Sequence, residues 1–447
     1  MTRSRSRVVR LGRICAKRVL RRSRLPLRDA RRRLATVVGA LVLALVALGF
    51  AKAGDTAQIL FQRLAAAAWW LPLVVTPSIF GLVAWITSRF MPEARGSGIP
   101  QVIAASRAPE SRHVRPLISL RTGFAKLGLT VAMLLGGASV GREGPTVQVS
   151  ASLMAAVHRL LRVPVNAGVL IAGGAAGVAA AFNTPLAGIA FAIEELAAQY
   201  EQRVAILVMG AVMVAGLASL GISGDYVYFG RVATNISLGD TLRFAPLAGV
   251  VGGLAGGLFT RILLAHARAT RPWIAAIKRR PVILALAMGG LVAAIGILSG
   301  GTTWGTGYAV TQSLLKGGNV DASFGPLKLL AAFATSLSGT PGGIFAPSLS
   351  IGAGLGNLLA SLFFPNGGGG LILLGMAGYF VGVVRAPITA VIIVSETTGN
   401  HGAILALFAT ALIADWVSSL VSPTRLYHGL AETFLVSRDQ GPTVVPH

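Results

Sequence analysis

Apolar residues gather into runs long enough to cross a bilayer core, for which a helix needs about 17–25 residues. Six such runs lie at 34–50, 71–90, 204–220, 244–264, 281–298 and 404–420. Four others, at 127–138, 168–181, 371–384 and 386–394, are shorter and are broken by glycine, proline or charge. Backbone cannot be left unpaired against lipid, so runs this short predict tilted or partial helices enclosed within protein. The pattern predicts an all-α polytopic membrane protein with broken helices inside the bundle.

Composition supports this solvent assignment. Of 447 residues, 54% are hydrophobic and 12% charged, and the mean hydropathy is +0.71, too apolar for a soluble chain of this size. The net charge of +25 would suggest nucleic-acid binding if it were spread over the chain. It is concentrated at 3–33, where fourteen Arg and Lys stand against Asp29 alone and no aromatic residue interleaves them. A basic segment beside the first span stays cytoplasmic and is drawn to anionic lipid. Arg31-Arg32-Arg33 ahead of an apolar run also fits a secretory signal, but the basic region is too long and the rest of the chain is itself apolar. Cys15 is the sole cysteine, and the six histidines have no ligand spacing, so neither a disulfide nor a metal site is expected.

A repeat organises the chain. Gly141-Arg142-Glu143-Gly144-Pro145 matches Gly343-Ile344-Phe345-Ala346-Pro347 at an offset of 343 − 141 = 202 residues. Asn183-Thr184-Pro185 with Glu194 matches Arg385-Ala386-Pro387 with Glu396 at the same offset of 202. Two blocks at one offset predict two related halves, about 34–221 and 244–421. A pore-lining final helix at about 422–435 and a short tail at 436–447 follow. Such repeats commonly lie inverted, with substrate held where broken helices of both halves meet.

Gly96-Ser97-Gly98-Ile99-Pro100 joins the two loops named above as a third glycine-rich segment running straight into proline. Proline suits the first helical turn, and glycine permits close approach of backbone to a ligand. Helix starts of this kind turn free N–H groups and the positive dipole end into the protein. An anion is stabilised there without a fixed positive side chain that would slow its release. Of fifteen acids, Glu143, Glu194, Glu195 and Glu396 lie in apolar or glycine-rich helical contexts. A carboxylate at mid-bilayer depth costs about 2.5–3.5 kcal/mol on the milder scale, and one deprived of water trades protons nearer neutral pH. Lys126 and Arg142 are the nearest candidate compensating cations, and Lys126 reads as structural. Gly137-Ala138-Ser139-Val140-Gly141 has the spacing of a nucleophile elbow but no preceding strand and no base nearby, so an intramembrane enzyme is disfavoured. Gly249, Gly253 and Gly257 predict close helix packing.

The three proline-ended loops, the 181–188 stretch leading to Glu194-Glu195, and the segment from Ser422 to Tyr427 resemble the CLC chloride channels and transporters, in order and over most of 33–435. The resemblance implies inverted halves in a homodimer with one pathway per subunit. It implies that Ser97, Tyr427 and the N–H groups of Ile344 and Phe345 surround a central anion, and that Gly141, Arg142, Gly144 and Ala346 donate to an outer one. Glu143 matches the gating glutamate that competes with chloride, and Glu195, with Glu194 beside it, matches the internal proton-transfer acid. Chloride is bound as substrate, protons and lipid are the other partners, and no cofactor or nucleic acid is implied. A bacterial inner membrane with both termini cytoplasmic is the expected location.

The chain departs from the pattern at Gln101, where many members carry an acid, and it lacks their C-terminal nucleotide-sensing modules. Ser97 favours chloride over nitrate, and the intact loop with Tyr427 argues against the fluoride-exporting branch. The expected function is coupled chloride/proton exchange gated by Glu143, with a passive voltage- or pH-gated chloride channel through the same pore as the alternative.

Overall fold

Apolar segments bounded by glycine and proline fold into helices because, away from water, only helical backbone satisfies its own polar groups. The computed structural model describes residues 2–197, 202–224, 226–232, 236–269, 274, 277–364 and 368–436. Eight helices precede residue 224: α1 Thr2–Ala67, α2 Leu71–Phe90, α3 Ile99–Arg107, α4 Leu120–Leu135, α5 Glu143–Leu160, α6 Ala167–Phe182, α7 Pro185–Phe191 and α8 Gln202–Ser223. Eight more recur in matching order: α9 Leu238–Arg268, α10 Pro281–Leu298, α11 Tyr308–Leu315, α12 Phe324–Leu337, α13 Phe345–Phe363, α14 Gly369–Val384, α15 Pro387–Thr398 and α16 Ile404–Val421. A final helix, α17 Leu426–Val436, has no counterpart in either set. Among the described residues, no strand is formed and seven helices are long and apolar enough to cross a membrane.

Helix ends depart from the apolar runs where local chemistry overrides hydropathy. α1 runs on from the basic region through residue 67, and the part of it long and apolar enough to cross a membrane is Ala30–Ala67. The basic side chains up to Asp29 and the tail from residue 437 lie outside the described residues. α4 starts seven residues before the run at 127 because the Ser119 hydroxyl accepts from the Thr122 N–H and caps it. α9 passes through Pro246 and spans 31 residues, well beyond the apolar run inside it.

Small residues set the spacing of the second half. Gly249, Gly253 and Gly257 on one face of α9 meet Thr410, Ala414 and Ser418 of α16. Gly252 and Gly256 on the adjoining face meet the backbone of Gly378 and Gly382 in α14. α14 is pressed on its other side against α13, where Gly352 and Gly356 meet Gly375 and Leu371. Helices at backbone contact gain dispersion energy that lipid cannot replace.

Gly382→Val would drive a side chain into the Gly252 backbone. Overpacking costs about 1–3 kcal/mol, and more where backbone must shift. We expect the detergent-solubilised variant to unfold at a clearly lower temperature, whereas Gly49→Ala, with nothing within 4 Å of the added carbon, leaves the midpoint in place. Equal midpoints for Gly382→Val and the unaltered protein would contradict backbone contact between α9 and α14.

Candidate functional site

Three proline-ended loops meet at one place. Gly141 and Gly343 exchange both backbone hydrogen bonds, each 2.8 Å, as an isolated antiparallel pair. The Gly342 N–H donates to the Gly96 carbonyl at 3.2 Å, bringing in the third loop. Gly98 holds φ at +105°, and a Cβ there would lie 2.9 Å from the Gly144 carbonyl. A Cβ on Gly144 would lie 3.0 Å from both the carbonyl and the hydroxyl of Ser97, so glycine is required where these loops touch. From this junction α3, α5 and α13 run outward with no side chain capping their N-termini. Side-chain caps are present at α4, α6 and α9, from Ser119, Asn166 and Ser237. The uncapped starts therefore gather free N–H groups and positive dipole ends in one region.

Glu143 opens α5 and is fully buried. Its carboxylate faces the N–H groups of Glu143 itself and of Ala346 across the junction, yet neither oxygen completes a hydrogen bond. Gly141 passes so close to the carboxylate that a Cβ would overlap Oε2. The Gly141 N–H is consumed by the Gly343 carbonyl, which leaves Arg142, Gly144 and Ala346 as the expected outer donors. Arg142 does not hydrogen-bond to Glu143; it pairs with Asp55 of α1 at 2.6 Å and donates to the Ala51 carbonyl at 2.6 Å.

Ser97, Ile344 and Tyr427 line a single cavity of about 600 Å³. The Ser97 oxygen accepts from the Ile99 N–H at 3.4 Å, which fixes the oxygen and leaves its proton free to turn. The Tyr427 hydroxyl is fully buried and directed toward Ser97, without completing a hydrogen bond among the described residues. Tyr427 reaches this point from α17 and packs on Phe345, ring centroids 6.0 Å apart. Phe345 in turn contacts Phe191 at 5.5 Å and Phe380 at 5.0 Å, fixing the α13 start within an aromatic cluster. Arg95, His266, Lys278 and Arg279 line the same cavity.

Buried cations hold the loops in place. Among the described residues Lys126 has no acidic partner, and it donates at 2.6 Å to the carbonyls of Ala94 and Gly96. Lys328, also fully buried, donates at 2.8 and 2.7 Å to the carbonyls of Thr303 and Gly305. The two lysines are separated by the repeat offset, 328 − 126 = 202, so applying that offset to Lys126 locates Lys328 from sequence alone. Gln101 donates to the Glu93 and Arg95 carbonyls at 3.2 and 2.5 Å and braces the same turn.

Of the remaining acids, two cap helices. Both Glu194 oxygens accept from the start of α15, at Ile388 N (3.0 Å) and Thr389 N (2.6 Å). Both Glu396 oxygens accept from the start of α7, at Leu186 N (3.3 Å) and Ala187 N (2.9 Å). Each half thus supplies the cap that the other lacks. Glu195 differs because α7 passes into a π-turn, Ala192–Leu196, closed by the Ala197 N–H on the Ala192 carbonyl at 2.9 Å. The turn buries Glu195 completely, opposite His428 of α17, with Nδ1 to Oε1 3.2 Å. No repeat signal marks His428 or Asp55, whose partners lie 233 and 87 residues away.

The family model described as "Voltage gated chloride channel" matches residues 79–419. The H(+)/Cl(-) exchange transporter ClcA of Yersinia pestis bv. Antiqua (strain Angola) is 30% identical over 441 residues, covering 92% of this chain and 89% of that protein. A slow cyanobacterial Cl-/H+ antiporter superposes with a TM-score of 0.78 at 23% identity, covering 92% of this chain and 99% of that one. A CLC-type fluoride/proton antiporter superposes with a TM-score of 0.73 at 22% identity, covering 90% and 97%.

Removing a lysine head group orphans the carbonyls it serves, each at about 1–3 kcal/mol. Lys328→Met, close in length and apolar, should therefore lower the thermal midpoint about as much as Lys126→Met. Differential scanning fluorimetry in detergent reads this directly, and an unchanged midpoint for either variant would contradict its role as a loop anchor.

Proposed function

The chain belongs to the voltage gated chloride channel family, and from that premise we propose that it exchanges chloride for protons across the membrane, with Glu143 as the gate. The observation that carries this reading is a buried carboxylate held between two uncapped helix starts, beside a cavity that Ser97, Ile344 and Tyr427 share. Chloride is the substrate and no cofactor takes part. At the central position the Ser97 and Tyr427 hydroxyls and the N–H groups of Ile344 and Phe345 replace water around the ion. None carries a full charge, so the ion is stabilised without being trapped. At the outer position Arg142, Gly144 and Ala346 offer their N–H groups, and an ionised Glu143 competes for them as a tethered anion. Protonation removes the charge that holds Glu143 there, so it swings away and chloride enters.

Proton delivery needs a second acid away from the chloride route, and Glu195 supplies it. Glu194 is the poorer candidate, since both of its oxygens are committed to α15. The reading places both termini in the cytoplasm of a bacterial inner membrane, as the basic start of the chain favours. It pairs two copies of the chain, each with its own pathway.

In liposomes bearing a chloride gradient, the unaltered protein should drive protons uphill. A protein that moves no protons and sits at the chloride equilibrium potential is a passive channel, and the exchange reading fails. Glu143→Gln should keep chloride flux and lose its dependence on pH, read by chloride efflux across a pH series. Glu195→Gln should abolish proton movement while chloride still crosses.

A further inference from the structure

Glu195 is fully buried. Its Oε1 meets Nδ1 of His428 at 3.2 Å and its Oε2 has no partner. The His428 side chain is 25% exposed, against 0% for Glu195, so the imidazole stands between the carboxylate and water. Other charged groups nearby are directed elsewhere. Arg425 donates to the Glu194 carbonyl at 3.3 Å, the Glu194 carboxylate caps α15, and Glu432 pairs with Arg268 of α9 at 2.7 Å. Among the described residues His428 is the one titratable side chain bonded to Glu195.

We propose that His428 is the relay through which Glu195 exchanges protons with water. The inference rests on the exchange reading above and deepens it by naming how the internal acid is charged. With its proton on Nδ1, the neutral ring donates to the carboxylate and presents a bare Nε2 outward. A proton from water adds to Nε2, and the Nδ1 proton passes to Oε1. This leaves a neutral carboxyl and a neutral ring carrying its proton on Nε2. Once Glu195 has passed its proton inward, rotation of the ring about χ2 turns Nδ1 to water, where it takes up a proton while Nε2 releases one, and rotation back restores the starting state. The placement also fits the fold: among the described residues α17 is the α-helix outside the repeat, and Thr397, which stands where the second half would carry its own Glu195, is bonded to the Ile393 carbonyl at 2.6 Å.

The test uses the full-length protein in liposomes, with proton uptake and chloride efflux recorded together. His428→Ala should slow proton movement about a hundredfold, the lower end of what a positioned acid–base group contributes. Chloride should still cross, so that fewer protons move per chloride. His428→Gln preserves size and hydrogen bonding and should be equally slow, and free imidazole in the buffer should restore proton movement to the Ala variant. A merely structural histidine would give the opposite pattern, with glutamine tolerated and imidazole without effect. Should His428→Gln couple protons as the unaltered protein does while Glu195→Gln does not, the relay is wrong and the exchange reading survives. If the unaltered protein moves no protons, the exchange reading falls and the relay falls with it.

Discussion

Two hydrogen bonds between Gly141 and Gly343 place the starts of two helices back to back, and the centre of the molecule is arranged around them. No side chain fits there: a Cβ on Gly343 would sit 2.9 Å from both the Gly141 carbonyl and Pro145. Because the pair consumes one N–H and one carbonyl from each loop, the donors left over belong to the first helical residues beyond it. Those donors come from opposite halves yet face a common region. The free backbone donors thus add positive potential at the junction without a further charged side chain having to shed its water.

Symmetry supplies the frame, and its violations supply the chemistry. The buried lysines and the crossed caps Glu194 and Glu396 recur at matching positions and are occupied in holding backbone. Asn183 and Arg385, both left-handed at φ +58° and +60°, end α6 and α14 in the same way. At the offset of 202, by contrast, Glu143 faces Phe345, Arg142 faces Ile344 and Glu195 faces Thr397. A symmetric channel would have two equal gates. Here one half presents an acid where the other presents an aromatic ring, and α17 inserts Tyr427 and His428 from outside the repeat.

Much of this was legible in sequence where the signal is local. α10 runs from Pro281 to Leu298 as the apolar run does, because proline marks one end and Ser299-Gly300-Gly301 the other. The starts of α3, α5 and α13 follow from glycine and proline spacing, and Gly249, Gly253 and Gly257 from their four-residue period. α4 was cut short because Arg121 and Lys126 interrupt its apolar run, although Lys126 is buried on backbone carbonyls that hydropathy does not register. Pairings across long separations leave no local trace, so Asp55 beside Arg142 and His428 beside Glu195 emerge from tertiary packing alone.

The crossed caps bear on how the chain is made. When α7 leaves the ribosome its first N–H groups have no acceptor, since Glu396 lies 210 residues further on from Leu186. At about 5–20 residues per second, roughly 10–40 s of translation separate the helix from the carboxylate that completes it. Through that interval the first half has an uncapped helix start, its N–H groups left to water or lipid head groups. A chain truncated before residue 396 would stay in that state, which makes the nascent first half a natural substrate for membrane quality control.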